Sequence, residues 1–126
     1  MKHLPTIARY LLGILFLVFG LNFWLGFLPV PPPAEGSPAA AFIGALYGSG
    51  FLTVVKVLEV LGAVLLLYGR FVNLALAWLG SIVVVIGLYH VFLVKGGYPM
   101  VLVLGALSLT ALAGRRDFVD ALLARK

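Results

Sequence analysis

Four long apolar stretches, parted by short polar or glycine-rich breaks, dominate the pattern of this chain. They run over about residues 7–28, 51–68, 71–94 and 98–113. A helix rises about 1.5 Å per residue and the hydrocarbon core of a bilayer is roughly 30 Å thick, so such runs predict membrane-spanning helices. The second run reaches about 27 Å and the fourth about 24 Å; the fourth therefore needs a locally thinned bilayer, or snorkelling by Arg115 and Arg116. Gly69-Arg70 and Lys95-Gly96-Gly97 are very short connections. Consecutive spans are thus expected to pack antiparallel, giving an all-α four-helix bundle in a single membrane domain over residues 1–126.

The breaks carry their own signals. Val30-Pro31-Pro32-Pro33 cannot be helical, because consecutive prolines lack N–H groups and favour extended backbone. Ser37 before Pro38 reads as an N-cap with proline in the first turn. It opens a short helix from Ala39 to Tyr47, about 14 Å long, within an outer loop at 29–50. Too short to cross, this helix is expected to lie on the outer face of the membrane or to dip partway in. Gly44 and Gly48 form a GxxxG pair there, read as packing or turn chemistry. The tail 114–126 is basic, and Phe118, Val119, Leu122 and Leu123 fall on one helical face suited to a membrane surface. The first apolar run exceeds a signal-peptide core and shows no clear small-x-small cleavage site, so it is expected to be retained. Leu12-Gly13 and Gly20-Leu21 recur with the same spacing as Leu79-Gly80 and Gly87-Leu88, an echo best explained by chance.

Composition adds to this picture. Of 126 residues 63% are hydrophobic and only 10% charged, more apolar than a soluble domain of this size can hide. The absence of cysteine excludes thiolate, disulfide and iron–sulfur chemistry in this chain. A net charge of +5 raises nucleic acid as a partner, but the basic residues cluster at the ends of apolar runs and form no stripe along phosphates. Of the nine, Lys2, Arg9, Arg70, Arg115, Arg116, Arg125 and Lys126 fall on one side of the expected topology and Lys95 on the other, with Lys56 inside a span. The positive-inside rule then places both termini in the cytoplasm of a multi-pass protein of the cell (plasma) membrane.

Candidate chemistry is concentrated in the second span. Lys56 and Glu59 are three positions apart and share a helical face. A lysine at the bilayer centre costs roughly 2.5–3.5 kcal/mol even on lenient insertion scales, so such residues usually face a bundle interior and mark a function. The plainer alternative is an ion pair within the helix, with Lys56 snorkelling outward. Counting residues from the basic side puts Asn22 level with Lys56, and Tyr89 and His90 near the mouth of the same outer-half layer. Asn22 reads equally as interhelical hydrogen-bond glue, and a lone interfacial histidine more often as an anchor than a ligand. No metal site is expected, and His3 lies on the wrong side to pair with His90 across a haem. Trp78 is read as lipid-facing or core, and Ser108 and Thr110 as bonded back to their own helix. No nucleophile–base pair, phosphate-cradling loop or dinucleotide fingerprint is present.

Several of these segments together resemble DoxX-like membrane proteins. They are Arg9-Tyr10-Leu11-Leu12-Gly13, Phe19-Gly20-Leu21-Asn22-Phe23, the run Pro29-Val30-Pro31-Pro32-Pro33, Lys56-Val57-Leu58-Glu59-Val60-Leu61-Gly62, Gly69-Arg70-Phe71 and His90-Val91-Phe92-Leu93. Phe23 and Val85 stand where the family pattern carries a lysine and a polar residue. The resemblance implies a four-helix membrane fold and a link to quinone redox complexes, since the family is named for the small subunit of a thiosulfate:quinone oxidoreductase. Three expectations follow. The first is a subunit binding an apolar ligand with a polar head, such as a quinone, near Lys56, Glu59, Asn22, His90 and Tyr89. It would hold no intrinsic cofactor and receive electrons from a redox partner subunit; whether a reaction occurs in this chain stays open. The second is a non-catalytic scaffold or assembly factor, and the third is small-solute or proton-coupled transport by a homo-oligomer. The topology has a direct check: a cytoplasm-active reporter fused within the tail beyond Leu123 is expected to be active, and one inserted at Gly96 silent. The reverse pattern would overturn the orientation.

Overall fold

Helix is the regular structure of the described residues, 2–29 and 32–124, of the computed structural model. Met1, Val30, Pro31, Arg125 and Lys126 lie outside them, so part of the expected proline break and two tail charges do too. The elements are α1 (Leu4–Leu25), α2 (Pro38–Ser49), α3 (Phe51–Tyr68), α4 (Val72–Leu88, continued by a π-helical segment, Tyr89–Val94), α5 (Tyr98–Ala113) and α6 (Arg116–Leu123).

Local chemistry sets most boundaries. α1 begins and ends three residues earlier than the expected 7–28. Pro5, in its first turn, has no N–H to leave unpaired and its ring already holds a helical φ. At the other end Gly26 adopts a left-handed φ of 61°, and its N–H reaches the Asn22 carbonyl, closing the helix before Phe27 and Leu28. Ser37 caps α2 as expected, its Oγ accepting from the Ala40 N–H at 3.1 Å. Gly50, at φ 85°, ends α2 and opens α3 in one step.

The helices form a ring in which α1 packs on α3 and α5, and both of these pack on α4. α2 lies across α3 and the π segment. Leu12, Leu66 and Leu79 are fully enclosed at the centre. Outward, the surface is apolar: Leu61, Val84, Leu102 and Leu109 are at least half exposed, a surface that in water would be an aggregation liability and in lipid is ordinary. Three helices, Leu4–Leu25, Phe51–Tyr68 and Val72–Val94, are long and apolar enough to cross a membrane. α5 has 16 residues and turns through 99° into α6, so the bent pair is the candidate fourth crossing.

Without a hydrophobic drive between helices in lipid, close backbone approach at small residues is what brings them together. Gly13 and Gly20, seven apart, supply it for α1: a Cβ on Gly20 would stand 2.8 Å from Val60 Cγ2, and one on Gly13 3.0 Å from Leu67 Cγ. Gly62 does the same between α3 and α4, where a Cβ would stand 2.6 Å from the Trp78 Nε1. Gly80, the counterpart of Gly13 in the repeated Leu-Gly spacing, has open space around its Cα, so the two halves of that echo do different things. Gly44 and Gly48 also face open space; their spacing packs nothing within the chain. Gly62→Ala is therefore expected to destabilise the fold by about 1–3 kcal/mol through overpacking. Gly80→Ala is expected to be neutral or stabilising by up to about 1 kcal/mol. Denaturant unfolding in one detergent would rank the pair, and equal losses would refute the assignment.

Candidate functional site

α3 is apolar along its length apart from Thr53, Lys56 and Glu59, and the ring of helices turns Glu59 inward. Glu59 is buried, 4% exposed, beside α1: a Cβ on Gly20 would lie 3.6 Å from the Glu59 Cβ. Lys56, one turn nearer the α2 side, is half-buried and reaches back to it. Its Nζ stands 3.5 Å from Glu59 Oε1 and 3.4 Å from Oε2, with side-chain exposures of 22% for the lysine and 5% for the glutamate. Both distances are long for a charge-assisted hydrogen bond, which normally closes to about 2.7–2.9 Å. A carboxylate with roughly four lone-pair directions is thus served by one ammonium at the edge of reach. The ammonium in turn keeps donors to spare.

The other expected members of the layer are engaged elsewhere. The Asn22 amide clasps the chain after α1: its Oδ1 accepts from the Leu28 N–H at 2.7 Å and its Nδ2 donates to the Leu28 carbonyl at 3.2 Å. His90 Nδ1 lies 2.9 Å from the Ile86 carbonyl. A carbonyl only accepts, so in the neutral ring Nδ1 carries the proton and Nε2 is left as an acceptor. The His90 ring also packs on the α4–α5 turn, where a Cβ on Gly97 would lie 2.6 Å from its Cδ2. Tyr89 sets its ring edge-on to His90, with centroids 5.3 Å apart, and meets Phe42 of α2 at 5.6 Å. Lys56 and Glu59 are therefore joined to each other, while Asn22, Tyr89 and His90 organise helix ends and turns and make no side-chain hydrogen bond to the pair among the described residues. Among the described residues no group of three or more histidine, cysteine or acidic side chains gathers to hold a metal.

Trp78, expected to be lipid-facing or core, packs against the core and also carries a hydrogen bond beside the ion pair. Its indole N–H donates to the Leu58 carbonyl at 3.0 Å, one residue before Glu59. A helix carbonyl has a second lone pair, and Gly62 one turn on leaves the room for the ring to reach it. The signal in the sequence was a lone glycine in a bulky span, four residues after Leu58. Ser108 and Thr110 bond back to Leu104 and Ala106 at 2.8 and 2.7 Å, as their positions in α5 led one to expect.

No family model, curated protein or solved structure matches this chain. The DoxX-like resemblance therefore rests on the residue runs quoted above.

The ion pair makes an asymmetric demand on stability. Lys56→Leu leaves a carboxylate buried and unpaired, with an expected loss of about 3–5 kcal/mol, whereas Lys56→Leu with Glu59→Leu is expected to be near neutral or stabilising. Unfolding midpoints of the two single variants and the double variant would test this; additive losses would mean the two groups do not interact.

Proposed function

We propose that the chain is a DoxX-like plasma-membrane protein with four crossings and both ends in the cytoplasm. In this reading Lys56 and Glu59 form the polar end of a site for an apolar molecule with a polar head, of which a quinone is the class that fits best. One observation carries it: an ion pair in an apolar helix is held at long distance, with the carboxylate under-bonded and the ammonium retaining free donors. Lys56 would donate to a carbonyl oxygen of the bound head. Glu59 would hold Lys56 charged or relay a proton. The electrons for any quinone reduction would come from a redox partner subunit. Asn22, His90 and Tyr89 would shape the mouth of the site and supply at most secondary contacts.

A second reading, a scaffold or assembly factor, is supported by a different observation. Asn22, Trp78 and His90 all direct their polar atoms at backbone groups of the chain itself, as bracing residues do. Analysis of lipids and quinones retained by the protein purified in nanodiscs separates the two. Under the first reading a quinone is retained, and Lys56→Ala lowers its occupancy about tenfold, as loss of a hydrogen bond from a charged donor would. Glu59→Gln, which keeps the side-chain shape, would lower it as well. Retention untouched by both variants would remove the basis for a ligand site. Reduced recovery of a partner complex with no change in retained ligand would point to the scaffold.

A further inference from the structure

The end of the bundle opposite Lys95 carries two adjoining clefts, and both share Gly114 and Arg115 at the elbow between α5 and α6. The larger, of about 350 Å³, is bounded by Asn73 of α4 and by Arg116, Asp117 and Phe118 of α6. The smaller, of about 170 Å³, has Arg9 of α1 on one side and an apolar wall of Val72, Leu76 and Ala111 on the other. Arg9, Arg115 and Arg116 line the pair of clefts with one acidic residue, Asp117.

Two polar atoms there are enclosed and unmatched. Arg9 Nε, a donor, and Asn73 Oδ1, an acceptor, are both buried with no hydrogen-bond partner among the described residues. Leaving either group unsatisfied in a native fold costs about 1–3 kcal/mol, and more for the charged one. The rest of the Arg9 guanidinium is placed rather than free: it stacks over the Tyr10 ring at 4.6 Å and lies against Gly69, where a Cβ would stand 3.4 Å from Nη1. A guanidinium fixed in this way has its orientation set before a ligand arrives. The α6 helix begins at the same elbow without a side-chain cap, so its first amide N–H groups add positive potential beside Arg115 and Arg116.

We propose that this elbow binds the phosphate of an anionic phospholipid. The phosphate oxygens accept from Arg9, Arg115 and Arg116, and a hydroxyl of a glycerol-type head donates to Asn73. Phosphate as such could also come from solution, but the surroundings fit a lipid. Arg9 and Arg115 share the smaller cleft with its apolar wall, and α6 presents Leu122 and Leu123, 61% and 77% exposed, in its last turn. A ligand charged at one end and apolar at the other matches both surfaces, and a free phosphate matches one. This site is at the other end of the bundle from Lys56 and Glu59 and stands or falls independently of any ligand there.

The test is native mass spectrometry of the intact protein with phosphatidylglycerol or phosphatidylcholine, alongside thermal unfolding in the same lipids. One phosphatidylglycerol is expected to be retained in preference to phosphatidylcholine and to raise the unfolding temperature. Arg9→Gln and Arg116→Gln are each expected to weaken it about tenfold or more, the loss of a hydrogen bond to a charged group. Arg116 is exposed, so its variant is informative even if Arg9→Gln folds poorly. Arg70→Gln removes a charge at the same end but outside both clefts and should change retention by no more than about fivefold, the effect of surface potential alone. An equal effect of Arg70→Gln and Arg116→Gln would mean general attraction to an anionic surface and overturn the site. Displacement of the lipid by excess inorganic phosphate would overturn the lipid as its source, and persistence in that excess would support it.

Discussion

The approach of α1 to α3 along Gly13 and Gly20 is the contact on which the rest of the molecule depends. It brings one helix backbone against the other over two turns, and in doing so closes an apolar wall over the Glu59 side chain. Once Glu59 is enclosed, its charge must be met from within its own neighbourhood, and Lys56 is the group in reach. The opposite flank of α3 is fixed in the same manner, with Gly62 admitting Trp78 and the indole N–H held by Leu58. Three glycines thus set the positions of the Lys56–Glu59 pair and of the tryptophan bonded to the Leu58 carbonyl.

The two ends of the bundle are built on different physics. On the α2 side polar side chains are consumed by backbone: Asn22 by Leu28, His90 by Ile86, Ser37 by Ala40. Such bonds hold loops and turns in place near a membrane surface, and the rings of Phe42, Tyr89 and His90 fill the space between them. At the other end Arg9, Arg115 and Arg116 line the clefts together with Thr6, Asn73 and Asp117. Among the described residues two enclosed atoms there, Arg9 Nε and Asn73 Oδ1, go without a partner, and their residues line the two clefts.

Much of this was readable along the chain. Apolar run lengths identified the long helices, because a backbone in hydrocarbon must satisfy its own hydrogen bonds and helix does so within one segment. Ser37-Pro38 announced α2, and Gly50 and Gly69 announced turns, since these are local effects of a cap or of a permitted positive φ. Lys56 and Glu59 could be placed on one face of one helix by spacing alone. Counting rise per residue put Asn22 level with Lys56, and the contact α1 makes near that height is Gly20 against Glu59 and Val60.

Direction was decided by tertiary structure. Periodicity in a span apolar on every side has no polar face from which to tell inside from outside, so nothing local distinguished an inward Glu59 from a lipid-facing one. Asn22 illustrates the limit: counting put it level with Lys56, but its amide turns to the backbone six residues on in its own chain. Trp78 likewise gains its meaning from a carbonyl on another helix, and the arginine clefts exist only where the ends of α1, α4, α5 and α6 converge. The chain by itself determined which segments are helical and which residues carry charge into them. Which of those charges is enclosed and which reaches the surface was left to the packing of one helix against the next, since burial depends on contacts between residues far apart in sequence.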